Sequence, residues 1–405
     1  MRESVDLGPP RGVRDYPPEP AARLLAAAGA LLEVFERYGY RRVVVPTLER
    51  AELLRRGLGE SERRLYHTVD PESGEVVAVA PDPTAQVARI FARVVAGAAH
   101  PLRVSYAGPV LRPHEDRPGR PKEIFQTGVE CLGGAGPLHD LEIVLLCLDG
   151  LEAVGVADPT LDIGHAGFLE AVLGAAELSS TVRAEVEAAL GRKDAGAIET
   201  LLRQAGGATP KGRRVRRLLP ELCDLWGHGS LAAARRIARR ARAGEACVDE
   251  VEALIERLSQ LEVRAQITTD LGENRGYGYY TGLTVHAFAE GVGAEVARGG
   301  RYDGLLARYG APAPAVGLAV DLTDLLTALE PDAASPGGIL LLRGRARLDR
   351  VLAEARRLRR AGQRVVVHDG ALAPAAAWSL ARSLGVGQVL RFSRGALRPL
   401  APGGG

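Results

Sequence analysis

Long apolar runs are missing from this sequence. No stretch of its 405 residues approaches the roughly 20 that a membrane-spanning helix needs, so no such helix is expected. Bulky side chains are also scarce. With 6 Phe, 2 Trp and 1 Met, leucine, valine and alanine must build the core. The four cysteines, Cys131, Cys147, Cys223 and Cys247, form no C-x-x-C pair. That spacing argues against a cysteine-based zinc site and a disulfide framework, and fits a reducing cytosol. The opening MRESVDLGPPRGVRDYPP has no apolar core of the signal-peptide kind, so a cytoplasmic protein is expected. There is no internal repeat and no low-complexity tract. What is present, 46% hydrophobic and 25% charged residues, describes an ordinary globular chain long enough for two domains.

Charge is unevenly distributed. The formal net charge is +2, yet residues 338–400 carry 13 Arg against 2 Asp and 1 Glu, which is +10 and leaves −8 on residues 1–337. A uniformly basic nucleic-acid binder would not show this split. Arg343, Arg345, Arg347, Arg350, Arg356, Arg357, Arg359 and Arg360 fit a solvated helix face better than an RNA-binding surface, and nucleic acid is not an expected partner.

Leu24, Leu25, Ala28, Leu31, Leu32 and Phe35 fall at helical spacing between residues 19 and 38, with Gly39 placed to end the helix. A short strand is expected at 42–45, closed by Pro46, which cannot continue a ladder. Another is expected at 76–80, then a helix from 84 to about 95. Extended strands at 102–111 and 124–132 flank the charged loop RPHEDRPGRP, and a helix follows from 138 to about 154. Residues 167–261 read as a helical insertion. Strand character returns in AQITTDL and YYTGLTVHAF. Residues 331–337 read as a linker between a first domain, 1–330, and a small α/β domain, 338–405, in which GILLL, RVVVH and QVLRF alternate with two helices.

Three stretches share a chemical theme. PDPTAQ places Asp82 and Thr84 at a strand–helix junction; Arg112 precedes a strand bearing Gln126 and Glu130; RGYGYYTG supplies Arg275, Tyr279 and Tyr280, followed by ARGGRYDGL. Gln126 and Glu130 lie four apart, so alternation with period two puts both on one face of the strand. On residue types alone, that face suits either a polar ligand or a surface salt-bridge stripe.

Taken together these stretches resemble histidyl-tRNA synthetase, a class II aminoacyl-tRNA synthetase, over residues 10–330 outside the helical insertion. GYRRVVVPTLE is similar to motif 1, the helix–strand element of the class II dimer interface, and RPHEDRPGRPKEIFQTGVE to motif 2. RGYGYYTG and GGRYDGL are similar to the two histidine-specific signatures. The resemblance implies an α+β fold: an antiparallel sheet flanked by helices, with a C-terminal domain like a shortened anticodon-binding domain. It also implies a histidine pocket. Asp82 and Thr84 would accept from the ammonium, and Arg112, Arg275 and Gln126 would hold the carboxylate end. Glu130 and Tyr280 would bond the imidazole nitrogens, with Tyr279 beside them.

The ATP machinery of the synthetase is altered. His114 stands at the motif 2 glutamate position, with Glu115 one residue out of phase, and Phe125 replaces the histidine before the motif 2 glutamine. In motif 3 the chain reads GLAVDLTDL, with Asp324 in place of the arginine that holds the ATP tail and Asp321 in place of a glycine. Losing a charge-assisted bond costs about 1.5–3 kcal/mol. Like charges about 4 Å apart add about 4 kcal/mol of repulsion even at a dielectric of 20. The chain therefore also resembles the regulatory subunits of ATP phosphoribosyltransferase, the synthetase paralogues of histidine biosynthesis, and PDPTAQVARI is close to the form they use. That resemblance implies a subunit with no catalytic residue, no cofactor and no metal. It would bind L-histidine as effector, form a homodimer within a hetero-oligomer, and confer activation and feedback inhibition on a short-form catalytic subunit. An active synthetase is the alternative, separable by ATP–pyrophosphate exchange.

Overall fold

The computed structural model describes residues 8–58, 65–94, 101–112, 121–227, 229–272, 279–329, 337–393 and 395–401. The chain divides into two compact units, Met1–Leu329 and Glu330–Gly405; the expected linker falls largely outside the described residues. The first unit begins with α1 (Pro18–Arg37), β1 (Arg41–Arg42), β2 (Leu48–Arg50), α2 (Ala51–Leu58), β3 (His67–Val69), β4 (Val76–Val79) and α3 (Thr84–Val94). Next come β5 (Leu102–Leu111), β6 (Glu123–Leu132), α4 (Pro137–Ala153) and β7 (Thr160–His165). A helical run follows: α5 (Ala166–Ala175), α6 (Ser180–Gly191), α7 (Ala195–Gln204), α8 (Pro210–Arg216), α9 (Ser230–Ala241) and α10 (Glu245–Gln260). The unit closes with β8 (Gln266–Thr269), β9 (Leu283–Phe288), β10 (Glu295–Arg301), β11 (Ala315–Asp321) and α11 (Leu322–Ala328).

Eight strands form one sheet in the order β1-β5-β6-β11-β10-β9-β7-β8. Its six inner strands, β5 to β7, pair antiparallel, but both edge pairs, β1–β5 and β7–β8, are parallel. The sheet is antiparallel across its inner strands, as expected, and mixed only through its two parallel edge pairs. A parallel pair needs a long crossover, and α5–α10 serve as that crossover between β7 and β8. The insertion has a core of its own around Phe168, Leu173, Leu219 and Ile237.

Alternation along each strand divides the sheet into two faces. Val129 and Cys131 of β6 and Val316, Leu318 and Val320 of β11 face the helical layer with α1 and α4, while Tyr106 of β5, Leu132 of β6 and Ala315 of β11 face α2 and α3. Helix α1 buries Leu24, Ala28, Leu31, Val34 and Phe35, the stripe that its spacing predicts. It ends as Gly39 predicts: at φ +85°, Gly39 N donates to Glu36 O (2.9 Å) and Tyr40 N to Phe35 O (3.0 Å), satisfying the last carbonyls. The strand expected at 42–45 is shorter. After Arg42 one more ladder bond forms, Val43 N to Ser105 O at 2.8 Å, and Val44 stands 97% exposed.

The second unit contains β12 (Ile339–Leu342), α12 (Leu348–Arg360), β13 (Val365–His368), α13 (Pro374–Ser383), β14 (Gln388–Ser393) and β15 (Ala396–Pro399), in sheet order β13-β12-β14-β15. All four residues of β12 are buried because both faces are covered. Ile339 and Leu341 pack with Val351, Ala355 and Leu358 of α12, and Leu340 and Leu342 with Ala377 and Ala381 of α13. Several arginines here have local partners: Arg347 pairs with Asp349, Arg357 with Glu354, and Arg359 donates to Val365 O.

Candidate functional site

The floor of a pocket lies on the α2/α3 face of the large sheet, built in rows across the strands. One row runs Tyr106, Gly128, Ala319, Arg298 from β5 to β10; the next runs Val104, Glu130, Gly317, Gly300. Gly128, Ala319 and Gly317 keep the middle of the trough low. A Cβ on Gly128 would come within 2.5 Å of Tyr106 Oη and 2.6 Å of Leu318 O. Asp82, Thr84, Arg112, Gln126, Glu130, Tyr279, Tyr280, Tyr106, Arg298 and Tyr302 line one pocket.

Glu130 meets three hydroxyls. Thr84 Oγ1 donates to its Oε1 at 2.6 Å, Tyr106 Oη to the same oxygen at 3.2 Å, and Tyr302 Oη to Oε2. Burial pushes the Glu130 carboxyl up to about 8, against the pull of the Thr84 and Tyr302 hydroxyls, with the nearby Asp82 charge raising it further. Burial likewise holds Tyr106, Tyr279 and Tyr302 well above the ordinary tyrosine value, so all three keep their hydroxyl protons.

Asp82 sits just before α3. Its Oδ1 accepts from Thr84 N at 3.0 Å, and burial raises its carboxyl above the ordinary value while Arg112 and Arg298 pull it down. Its Oδ2 and Gln126 Oε1 are buried without a hydrogen-bond partner among the described residues. Buried acceptors are rarely left in this state, and two of them in one pocket mark a place for a donor. Arg112, also buried, is anchored by Nε to Pro81 O at 3.1 Å. Tyr279 packs edge-on against Tyr302 with centroids 5.6 Å apart and lies 5.0 Å from Tyr280.

Seven of the eight residues expected from the sequence thus converge on one pocket. Arg275, with His114 and Glu115, lies outside the described residues. The resemblance assigned Thr84 to an ammonium; its hydroxyl proton goes to Glu130, but a hydroxyl oxygen can still accept. Sequence reasoning missed Tyr106, Tyr302 and Arg298. Arg298 and Tyr302 stood within the quoted ARGGRYDGL, and period two along β5 could have flagged Tyr106, but its strand neighbours were unknown.

An adjoining space of about 240 Å³ is bordered by Arg112, Gln126, Glu295, Arg298 and Asp321. Asp321 caps α11: its Oδ1 accepts from Thr323 N (3.0 Å) and Asp324 N (3.4 Å). The amides that could meet an anion at this helix start are thus occupied by the chain's own carboxylate. Among the described residues no group of three or more His, Cys, Asp or Glu could hold a metal ion, and no helix is long and apolar enough to cross a membrane.

The family model described as Histidyl-tRNA synthetase matches residues 12–325. An ATP phosphoribosyltransferase regulatory subunit of Anaeromyxobacter dehalogenans is 45% identical over 330 residues, 80% of this chain and 92% of that protein. A Bacillus halodurans structure described as an ATP phosphoribosyltransferase regulatory subunit/histidyl-tRNA synthetase superposes with a TM-score of 0.78 at 25% identity, covering 96% of this chain and 99% of that one. A histidyl-tRNA synthetase of Nostoc shares the fold, with a TM-score of 0.73 at 20% identity over 96% of this chain and 91% of its own. By sequence and by fold, the chain belongs to the family of ATP phosphoribosyltransferase regulatory subunits, built on the frame of histidyl-tRNA synthetase.

Proposed function

We propose that this chain is the cytoplasmic histidine sensor of an ATP phosphoribosyltransferase, a non-catalytic subunit that confers activation and feedback inhibition on a short-form catalytic subunit. The observation that carries the reading is the pair of buried acceptors, Asp82 Oδ2 and Gln126 Oε1, beside a carboxylate already caged by hydroxyls. An amino-acid ammonium supplies the donors that those acceptors need. Gln126 can also offer its amide nitrogen to a carboxylate, together with Arg112 and Arg275. Glu130 and Tyr280 would face the imidazole, and a site that pairs both ring nitrogens discriminates against side chains that leave its groups unpaired. The acidic cap on α11 disfavours ATP in the synthetase manner.

The purified chain is expected to bind L-histidine in calorimetry, to show no ATP–pyrophosphate exchange, and to make a reconstituted catalytic subunit sensitive to histidine. Absence of histidine binding up to millimolar concentration would overturn the sensing assignment. Measurable exchange would restore the synthetase reading.

We further propose that the segment 33–49 forms the two-fold interface of a homodimer. Val44 and Leu48 are 97% and 48% exposed, beside an apolar groove of about 650 Å³ lined by Val43, Val45, Pro46 and Val110. A two-fold interface uses such a patch twice. Helix α3 joins this segment to the pocket: Gln86 Nε2 donates to Pro46 O at 2.7 Å and Arg89 pairs with Glu49 at 2.7 Å, while Thr84 in its first turn holds Glu130. Val44→Asp should shift the chain from dimer to monomer in analytical ultracentrifugation. A wild type that is monomeric alone and in the complex would defeat the dimer claim.

A further inference from the structure

We propose that Arg298 binds the carboxylate of the effector and that Glu295 positions it, an assignment that rests on the amino-acid pocket proposed above. Arg298 closes the row Tyr106–Gly128–Ala319–Arg298. Four strands at about 4.8 Å spacing set Tyr106 and Arg298 about 14 Å apart, with only Gly128 and Ala319 on the floor between them. Along the strands this row lies between that of Glu130 and that of Gln126, about 7 Å from each. An amino acid whose imidazole meets Glu130 therefore brings its α-carbon substituents to the level of Arg298. Arg298 borders both the pocket and the adjoining space.

Its orientation is supported from behind. Glu295 Oε1 accepts from an Arg298 terminal nitrogen at 3.2 Å, and Glu295 Oε2 lies 2.8 Å from His286 Nδ1. Glu295 and His286 side chains are only 14% and 8% exposed, so the partner that aims the guanidinium is fixed by packing. A zwitterion needs two poles. Asp82 forms the anionic one, and Arg298 joins Arg112 at the cationic one. Its field reaches both sides of the pocket, opposing the effect of burial on Asp82 and on Tyr280. A planar guanidinium fork matches a carboxylate as an ammonium does not.

The test compares L-histidine with L-histidinol, which keeps the ammonium and imidazole but carries an alcohol in place of the carboxylate. With the full chain in calorimetry, Arg298→Ala should weaken histidine by about 10- to 100-fold and histidinol by less than about threefold. Arg298→Lys should recover part of the loss, and Glu295→Gln should give an intermediate loss specific to histidine. Equal losses for the two ligands, or a loss under about threefold for histidine, would overturn the assignment. If wild-type binding of histidinol is too weak to measure, the histidine affinities of the Ala and Lys variants, at unchanged melting temperature, decide it. A wild type that binds no histidine would instead reject the underlying pocket reading, an outcome distinct from failure of Arg298 alone.

Discussion

Glu130→Gln should leave a folded chain whose affinity for L-histidine is lower by about 10- to 100-fold, the range expected for one charge-assisted hydrogen bond of about 1.5–3 kcal/mol. The substitution keeps shape, and a hydroxyl can turn from donating to accepting, so Thr84, Tyr106 and Tyr302 can retain partners. It removes the carboxyl that can give up its proton and face the imidazole as an anion once the ligand binds. A second consequence separates the variant from the wild type without ligand. In the folded chain the Glu130 carboxyl is raised from the ordinary 4.5 to about 8, so between those values the native state keeps a proton that the unfolded chain gives up. Stability must then fall as pH rises through that window and level off above it. The ligand-free wild type should lose melting temperature between pH 6 and pH 8.5 more steeply than Glu130→Gln. Parallel melting curves across that range would show that Glu130 carries no buried-charge penalty. Unchanged histidine affinity would remove it from the recognition site.

Gly317→Ala is expected to damage both fold and pocket. A methyl group there would run into Glu130 Oε2 and come within 2.8 Å of Val129 O. The carbonyl belongs to a strand locked in its ladder, so it cannot yield as a flexible side chain would. Overpacking of this kind costs about 1–3 kcal/mol, or roughly 1–4 °C in melting temperature for a unit of this size. Because the new methyl displaces the carboxylate from its hydroxyl cage, histidine affinity should fall at least as far as in Glu130→Gln. Gly29→Ala is the matched control. Gly29 lies within α1 and has nothing within 4 Å of an added Cβ, so the change should be neutral or stabilising by up to about 1 kcal/mol. Equal responses of the two variants would mean that the floor of the trough is not close-packed at Gly317.

The elements most readable from sequence were those with a strong period and clear ends. A buried stripe and Gly39 identify α1, and β5 and β6 lie within one residue of expectation. Less was readable where glycine dilutes the strand pattern. β10 and β11 contain Gly299, Gly300 and Gly317, which weaken strand character, and short β7 went unanticipated. These glycines follow from tertiary contact: added Cβ atoms at Gly299 and Gly300 would strike backbone of the neighbouring strands, Gly317 O and Leu283 O respectively.

By itself the sequence determined the family, and it carried the expectations of two domains, a helical insertion and a set of pocket residue types, because helical and strand periods and short motifs are local properties. The tertiary structure alone decided which residues face one another. Gln126 meets Asp321 and Glu130 meets Gly317 through a ladder between strands nearly 190 residues apart in sequence, and no local pattern encodes that register. The same ladders bring Tyr106 and Tyr302 to Glu130, place Arg298 on the pocket wall and turn Asp321 into a helix cap. They also remove Glu130 from water, and that removal gives a carboxylate of ordinary type its raised proton affinity.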